Sequence, residues 1–562
     1  MNGSPARVPD YQAGGVHSRH AATEGAQAFS AHNGPGRPST QLPPARFNAW
    51  LRAAIARTGP DLWVCVLLAL FAAVWLSHLS YTSLSPPTDN IEQLSWMRSI
   101  EWGYYKHPPL PTWLFWLSAQ FFGAQVWTTY LLAVLLNLGS LYLFWHIVAR
   151  IRGHSYAALA LFAVLCISYY NMRLHAYNHN TVLTFFSTLS AVLCWKAVSS
   201  GRQRWWVALG IALGLGMLAK YQIAVTAASV LVFWVTQRGW RDPRQRRGLL
   251  LCVLVALLIT VPHLQWLRTH DFGPIGYALE TSLGAHLDPL ERVLEVSNWL
   301  ADQLLNRSLA AWLVLAAALY LARRRADPPP PPGSGSGSAT GGPTSDDAGR
   351  ALLLAWGVVP LLFMALVGLG TGALLQMRWG SPFLLFVVPA AMELTGPLDQ
   401  WRRVPLRSAA TVFVIVQALL LLWSHYSSAH GPAALRDPYW RNFDSQALAR
   451  QIEAPARAAL HGGRICVVSG PVALAGALAL QLEDQPLVLI DGRYDHSPWV
   501  SADLVKRCGM LQVVRDAPLP GGVPAGPAFP GITWRAVLPE HPPASTGANA
   551  LSPNSTTSMR PS

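Results

Sequence analysis

The chain has 562 residues, 52% of them hydrophobic and only 12% charged, where a soluble domain carries about 25% charged residues. That balance excludes an ordinary soluble domain and points to the bilayer. The net charge of +14 would suit a nucleic-acid partner, but in a membrane chain it is explained by Lys and Arg kept in cytoplasmic loops.

Residues 1–58 are polar and rich in Gly, Pro, Ala and Arg, with no cleavable signal peptide, and read as a disordered tail. A membrane helix needs about 20 mostly apolar residues. Eleven candidate spans follow, near 61–80, 125–148, 155–171, 181–198, 206–219, 222–237, 248–266, 308–322, 351–369, 380–396 and 408–424. Alternate loops hold the basic clusters: Arg150 and Arg152, Arg202 and Arg204, Arg238 to Arg247, Arg323 to Arg325, and Arg402 to Arg407. These loops and the N-terminal tail are therefore expected to be cytoplasmic, and eleven spans put the C-terminal region outside.

The membrane domain is expected over 59–424, with two long outer loops, 81–124 and 267–307. Between Arg325 and the ninth span, 327–349 is a Pro, Gly and Ser tract that reads as a flexible cytoplasmic linker. Residues 425–540 carry the β-type runs RICVVSG, PLVLIDG and LQVVRD with helical PVALAGALALQLED between the first two, which predicts a small α/β domain. No GxGxxG or Walker pattern follows these strands, so no nucleotide site is expected there. Residues 541–562 read as a second disordered tail. Six cysteines are too few and too scattered for a disulfide scaffold or a zinc site. Cys466 and Cys508 lie outside the apolar runs and can pair if their domain faces an oxidising compartment.

The chemistry is concentrated in the first outer loop, PPTDNIEQLSWMRSIEWGYYKHPPLPTWLFW. Asp89 to Trp102 has the irregular apolar spacing of an interfacial amphipathic helix, and residues three or four apart, such as Asp89 and Glu92, share a face. Pro108 and Pro109 force an extended exit after Lys106-His107. A carboxylate, a cation and an aromatic platform at a membrane surface suit a lipid-linked anionic substrate. The same residues also fit an aromatic interfacial belt with charges facing water.

These residues resemble the first-loop signature of glycosyltransferase family 39, which includes protein O-mannosyltransferases and lipid A aminoarabinose transferases. The matching residues are Asp89-Asn90, Trp102-Gly103-Tyr104-Tyr105 and Lys106-His107-Pro108-Pro109-Leu110, and the likeness continues through LAKYQ, VPHLQWLRTHDF and RWGSP. The resemblance implies an all-α polytopic membrane domain of the GT-C type, a polyprenyl-phosphate sugar donor and an outer-face reaction in a bacterial inner membrane. The acceptor would be a lipid, glycan or protein at the periplasmic face. It assigns Asp89 as the base toward the acceptor, a role a carboxylate at hydrogen-bond range can fill. Lys106 and His107 become candidates for the donor phosphate, with Tyr104 and Tyr105 beside them. Lys220, at the outer end of a span, is a functional candidate by position, and Arg378 before Trp379-Gly380 is similar.

Two departures from the family pattern stand out. Asn90 replaces the usual Glu, and the next outer loop, RLHAYNHNTVL, offers Asn178 and His179 but no carboxylate. A divalent cation (Mg²⁺ or Mn²⁺) would prefer carboxylate oxygen, so no cofactor is assigned. That His/Asn group reads equally as a helix-capping loop. Asp271 and His270 stand in the other long outer loop, and Glu101 is expected to pair with a loop cation. The competing classes are a lipid or glycan transporter, which would carry ionisable residues deep inside spans and broken helices in both halves, and a non-catalytic assembly protein.

Overall fold

The computed structural model describes residues 44–325 and 345–540. Of the expected tails and linker, 1–43, 326–344 and 541–562 lie outside the described residues. The expected disordered stretch is helical where it is described, from Pro44. Residues 345–349, at the end of the expected linker, are helical as well.

The helices follow in this order: α1 (Pro44–Thr82, broken at Gly59), α2 (Thr88–Trp96), α3 (Leu110–Phe122), α4 (Val126–Arg152), α5 (His154–Val164), α6 (His179–Ser200), α7 (Gln203–Ala219), α8 (Ile223–Thr236), α9 (Pro243–Thr269), α10 (Gly273–Ala278), α11 (Pro289–Ala301), α12 (Leu309–Arg325), α13 (Ser345–Gly357), α14 (Val359–Thr371), α15 (Leu384–Thr395), α16 (Leu398–Arg402) and α17 (Leu406–Tyr426). Among the described residues, six stretches are long and apolar enough to cross a membrane, or seven if Pro289–Asn306 and Leu309–Arg324, bent by 48°, form one span. The eleven expected segments all contain helix, but those at α5, α7, α8 and α15 are shorter than a regular crossing.

Helix α5 ends among buried residues, where irregular backbone is tolerated if other groups satisfy it. After α5 the chain turns through 165–178. There the Ser168 amide donates to the Arg307 carbonyl (3.1 Å), and the Tyr169 and Tyr170 hydroxyls donate to the carbonyls of Met377 and Ser381 (2.6 and 2.7 Å).

The helices pack side by side, α7 against α6 and α9, and α4 against α5 and α6. Because consecutive helices run back and forth, the start of α4, the start of α6, the end of α7, the start of α8 and the end of α9 lie at one end of the bundle. The opposite ends carry the arginine clusters. There Arg152 is buried in a bidentate pair with Glu393 (2.8 and 2.9 Å), the geometry in which a buried guanidinium is best satisfied.

Residues 445–540 form the small domain. Helices α18 (Ser445–Ala459), α19 (Val472–Gln481) and α20 (Ala502–Cys508) surround a five-stranded sheet. Its strands are β1 (Val467–Gly470), β2 (Leu487–Ile490), β3 (Met510–Arg515), β4 (Val523–Pro524) and β5 (Ile532–Val537), in the order β2-β1-β3-β5-β4. β1 pairs in parallel with β2 and β3, and β5 closes antiparallel on β3. Side chains alternate between faces of a strand, so Val468 enters the core under α18 and α19 while Val467 packs with Leu489 and Val500 on the other face. Cys466 and Cys508 are joined by a disulfide.

The segment that leads into this domain is sewn to the first loop. The Leu84 amide donates to the Arg441 carbonyl (2.7 Å), Ser85 Oγ to the Phe443 carbonyl (2.7 Å) and Trp440 Nε1 to the Pro86 carbonyl (3.0 Å). Trp96 and Tyr104 belong to the small domain's hydrophobic core.

Candidate functional site

At the end of the bundle away from the arginine clusters, a cavity of about 590 Å³ opens between α2, α6, α8, α10 and α14. One part of its wall is polar: Asp89, Glu92, Lys106, Asn178, Lys220 and Arg378. Another is apolar, with Ala224 and Val225 from α8 facing Phe363, Met364 and Val367 from α14. A charged head continuous with an apolar slot matches an amphiphile with an anionic head and a hydrocarbon tail.

Asp89 stands in the first turn of α2, where the helix dipole favours a negative charge. Its Oδ2 accepts from Asn178 Nδ2 (2.8 Å) and lies 3.5 Å from an Arg378 Nη. Its Oδ1 has no hydrogen-bond donor among the described residues. Asn178 also caps α6, its Oδ1 accepting from the Thr181 amide (3.0 Å). One residue thus serves both readings made from the sequence, helix cap and site. Asn180 accepts from Lys220 Nζ (2.6 Å). Lys220 lies one residue past α7, and burial pushes its ammonium down to about 7 while Asp89 pulls the other way.

Lys106 and Glu92 form a buried ion pair (2.5 Å). Burial pushes the Glu92 carboxyl up to about 7, with Lys106 opposing it. Burial also works against the Lys106 charge, but Glu92 and Tyr105 overcome it and hold the ammonium above its usual range. Lys106 Nζ sits 5.5–5.9 Å from the ring centres of Trp96, Tyr105 and Tyr277, within cation–π reach.

His107 lines the cavity, and burial, then His179, then Lys106 and Lys220 lower its pKa well below the usual imidazole range, which disfavours the protonated ring. It packs on His179 with ring centres 3.9 Å apart. Tyr104 and Tyr105 are not among the residues that line the cavity. Tyr104 stacks on Trp96 at 4.7 Å and donates its hydroxyl to the Ser99 carbonyl (2.8 Å), and Tyr105 stacks on His496 of the small domain at 3.9 Å. Both brace the loop that carries Lys106. Glu101 accepts from Ser99 Oγ (2.5 Å) and has no cation partner among the described residues.

Asn90 is explained by its contacts. Its Nδ2 donates to Thr129 Oγ1 (2.7 Å) and the His175 carbonyl (3.0 Å), and its Oδ1 accepts from the Tyr177 amide (2.9 Å). A carboxylate could make only the last of these. Glu92, not identified as a site residue from the sequence, supplies a second carboxylate to the cavity. Its signal was the three-residue spacing from Asp89. No group of three His, Cys, Asp or Glu side chains is placed to hold a metal among the described residues; Lys106, Lys220 and Arg378 are the cationic side chains of this wall. Asp271 and His270 do not line the cavity.

Comparison with known proteins adds three findings. Residues 106–266 match the family model described as dolichyl-phosphate-mannose-protein mannosyltransferase. The lipopolysaccharide core galacturonosyltransferases RgtB and RgtA of Rhizobium johnstonii are 30% identical over 38% of this chain and 25% identical over 72% of it. These alignments span 43% of RgtB and 77% of RgtA. The crystal structure of ArnT from Cupriavidus metallidurans bound to undecaprenyl phosphate superposes with a TM-score of 0.50 at 16% identity, covering 81% of this chain and 94% of ArnT.

Residues 106–266 thus resemble that family's model, and the fold is like that of ArnT, of the GT-C type. The family match runs from Lys106 through the His/Asn segment and Lys220 to the end of α9, so it includes much of the cavity's polar wall. The small C-terminal sheet domain completes this GT-C chain.

Proposed function

We propose that this chain is a membrane glycosyltransferase that moves a sugar from a polyprenyl-phosphate carrier to a lipid, glycan or protein acceptor on the non-cytoplasmic face. The observation that carries this reading is the cavity in which two carboxylates and three cations adjoin an apolar slot. ArnT, crystallised with undecaprenyl phosphate, shares the fold, which supports a prenyl-phosphate donor here.

In this reading the donor's tail lies between α8 and α14, and its phosphate meets Lys106, Lys220 and Arg378. Asp89 Oδ1 takes the proton of the acceptor hydroxyl as that oxygen bonds to the anomeric carbon. The bond from the anomeric carbon to the phosphate oxygen breaks, and the phosphate leaves with the electron pair. Cations already positioned around the leaving group stabilise the charge as it develops. Glu92 keeps Lys106 charged, and Asn178 and Arg378 orient the base.

Two independent features support the outward orientation. The cavity lies at the bundle end opposite the arginine clusters, as loop charge requires. The disulfide in the small domain, which packs against the same end, belongs in an oxidising compartment. In a bacterium that is the periplasmic face of the inner membrane. The ionisable groups sit at helix ends and in loops around this one cavity, which favours surface chemistry over a transport path through the spans.

The test is transfer of radiolabelled sugar from polyprenyl-phosphate donors to membrane lipid, comparing wild type with Asp89→Ala at equal expression. Loss of a general base costs about 10²-fold or more, so the variant is expected to fall to background. Equal transfer by the two proteins would remove Asp89 from the reaction.

A further inference from the structure

Lys220, Tyr221 and Gln222 stand between α7 and the body of α8, and all three line the main cavity. Each is tied to a different element. Lys220 Nζ donates to Asn180 Oδ1 (2.6 Å), and Gln222 Nε2 donates to the Trp379 carbonyl (3.0 Å). Tyr221 is held by His263 of α9, its hydroxyl 2.8 Å from Nε2. His263 is buried, and its Nδ1 stands 2.6 Å from the Trp102 carbonyl in the first loop. The motifs LAKYQ and VPHLQWLRTHDF thus meet in one hydrogen-bonded chain, which runs from the cavity wall to the loop that carries Lys106.

The direction of this chain follows from what each atom can do. A carbonyl oxygen only accepts, so the imidazole proton sits on Nδ1, and in the neutral ring Nε2 is left bare. The Tyr221 hydroxyl has a single proton and donates it to Nε2. Its oxygen keeps its lone pairs and makes no other hydrogen bond among the described residues. Tyr221 therefore offers the cavity an acceptor and no donor. A phosphodiester oxygen cannot use it, since that oxygen also only accepts. A hydroxyl can. Tyr221 adjoins Lys220, which meets the donor phosphate in the reading above, so the nearest hydroxyls are those of the sugar on that phosphate.

We propose that Tyr221 accepts a hydrogen bond from one hydroxyl of the transferred sugar, and that His263 is a positioning residue that fixes this polarity by taking the phenol proton. This rests on the glycosyltransferase reading and deepens it with a residue that tells donor sugars apart by a hydroxyl.

The experiment measures donor affinity with the full-length protein in detergent, which separates recognition from turnover. The probes are a polyprenyl-phosphate hexose and its monodeoxy and monodeoxyfluoro analogues, one pair for each sugar hydroxyl. Fluorine accepts a weak hydrogen bond and donates none. A lost neutral hydrogen bond corresponds to about fivefold in affinity. Wild type is therefore expected to lose about fivefold with both analogues at one hydroxyl, and Tyr221→Phe to lose that penalty while the others stand. In His263→Phe the phenol proton is free to turn toward the ligand, so at the same position the fluoro analogue should bind better than the deoxy one. Melting temperatures verify folding, and where His263→Phe does not fold, His263→Gln replaces it. A wild-type protein with no such position, or a penalty that persists in Tyr221→Phe, overturns the proposal. Equal weakening of every donor in Tyr221→Phe also overturns it, by assigning Tyr221 to the phosphate or to packing. Unchanged donor affinities with a raised acceptor KM would do so too, by giving the hydroxyl to the acceptor. Equal binding of the fluoro and deoxy analogues in a folded His263 variant removes His263 from the proposal. If wild type binds neither the hexose donor nor bare polyprenyl phosphate, the glycosyltransferase reading itself fails and this inference goes with it.

Discussion

At the residue scale, the candidate site depends on how burial and neighbours set each charge. Lys220 is the clearest case. Its pKa is lowered to about 7, so the free protein carries the charge below that pH and loses it above. A bound phosphodiester does not titrate near neutrality and stabilises the protonated amine, which raises the pKa in the complex. Donor affinity should therefore fall as pH rises from 7 to 8.5, by about tenfold if the complex keeps its proton throughout. Lys220→Arg, whose guanidinium does not titrate in this range, should flatten the profile. Titrating donor binding against pH for both proteins measures this, and parallel slopes would exclude Lys220 as the phosphate's partner. The Asn90 position makes the complementary point. Replacing an acid with an amide looks like a lost catalytic group in the sequence, yet the side chain clamps α2 to α4 and to the loop before α6.

At the element scale, α2 is held from two sides, by the bundle and by α19 of the small domain. The contact with α19 is close. A Cβ built on Gly476 would come within 2.3 Å of Ile91 Cγ2, so glycine is there for the approach of two helices. Overpacking of this kind costs about 1–3 kcal/mol. Gly476→Val should lower the melting temperature and reduce transfer, because the displaced helix carries Asp89 and Glu92. Adding Ile91→Ala should restore part of both, since residues in contact are not additive. A double-mutant cycle with no coupling would show that α2 does not depend on this contact. The stack of Tyr105 on His496 gives the small domain a second hold, on the loop of Lys106, and so a structural role in shaping the cavity.

At the scale of the whole molecule, the distribution of charge and the disulfide make one prediction. Cysteine-accessibility labelling of single-cysteine variants in intact cells should mark positions in the small domain from outside and positions beside Arg402 to Arg407 only after permeabilisation. Non-reducing electrophoresis of protein from oxidising and reducing compartments should show the Cys466–Cys508 bond only in the former. Labelling of the small domain only after permeabilisation would reverse the orientation and place the cavity in the cytoplasm.

Much of this was legible in the sequence, for physical reasons. A membrane imposes long apolar runs and an asymmetry of Lys and Arg, both readable locally, and the small domain announced itself through short β-branched runs between turn residues. Asp89, Lys106, Asn178, Lys220 and Arg378 were identified from composition, position or family likeness, and the fold gathers all five around one cavity. Only the tertiary structure decided which helices stop short, because a helix can end at membrane depth where its last carbonyls find partners far along the chain. The same holds for the electrostatic roles. Whether His107 is a cation depends on His179, Lys106 and Lys220 beside it; whether Tyr104 faces substrate depends on a domain more than three hundred residues away.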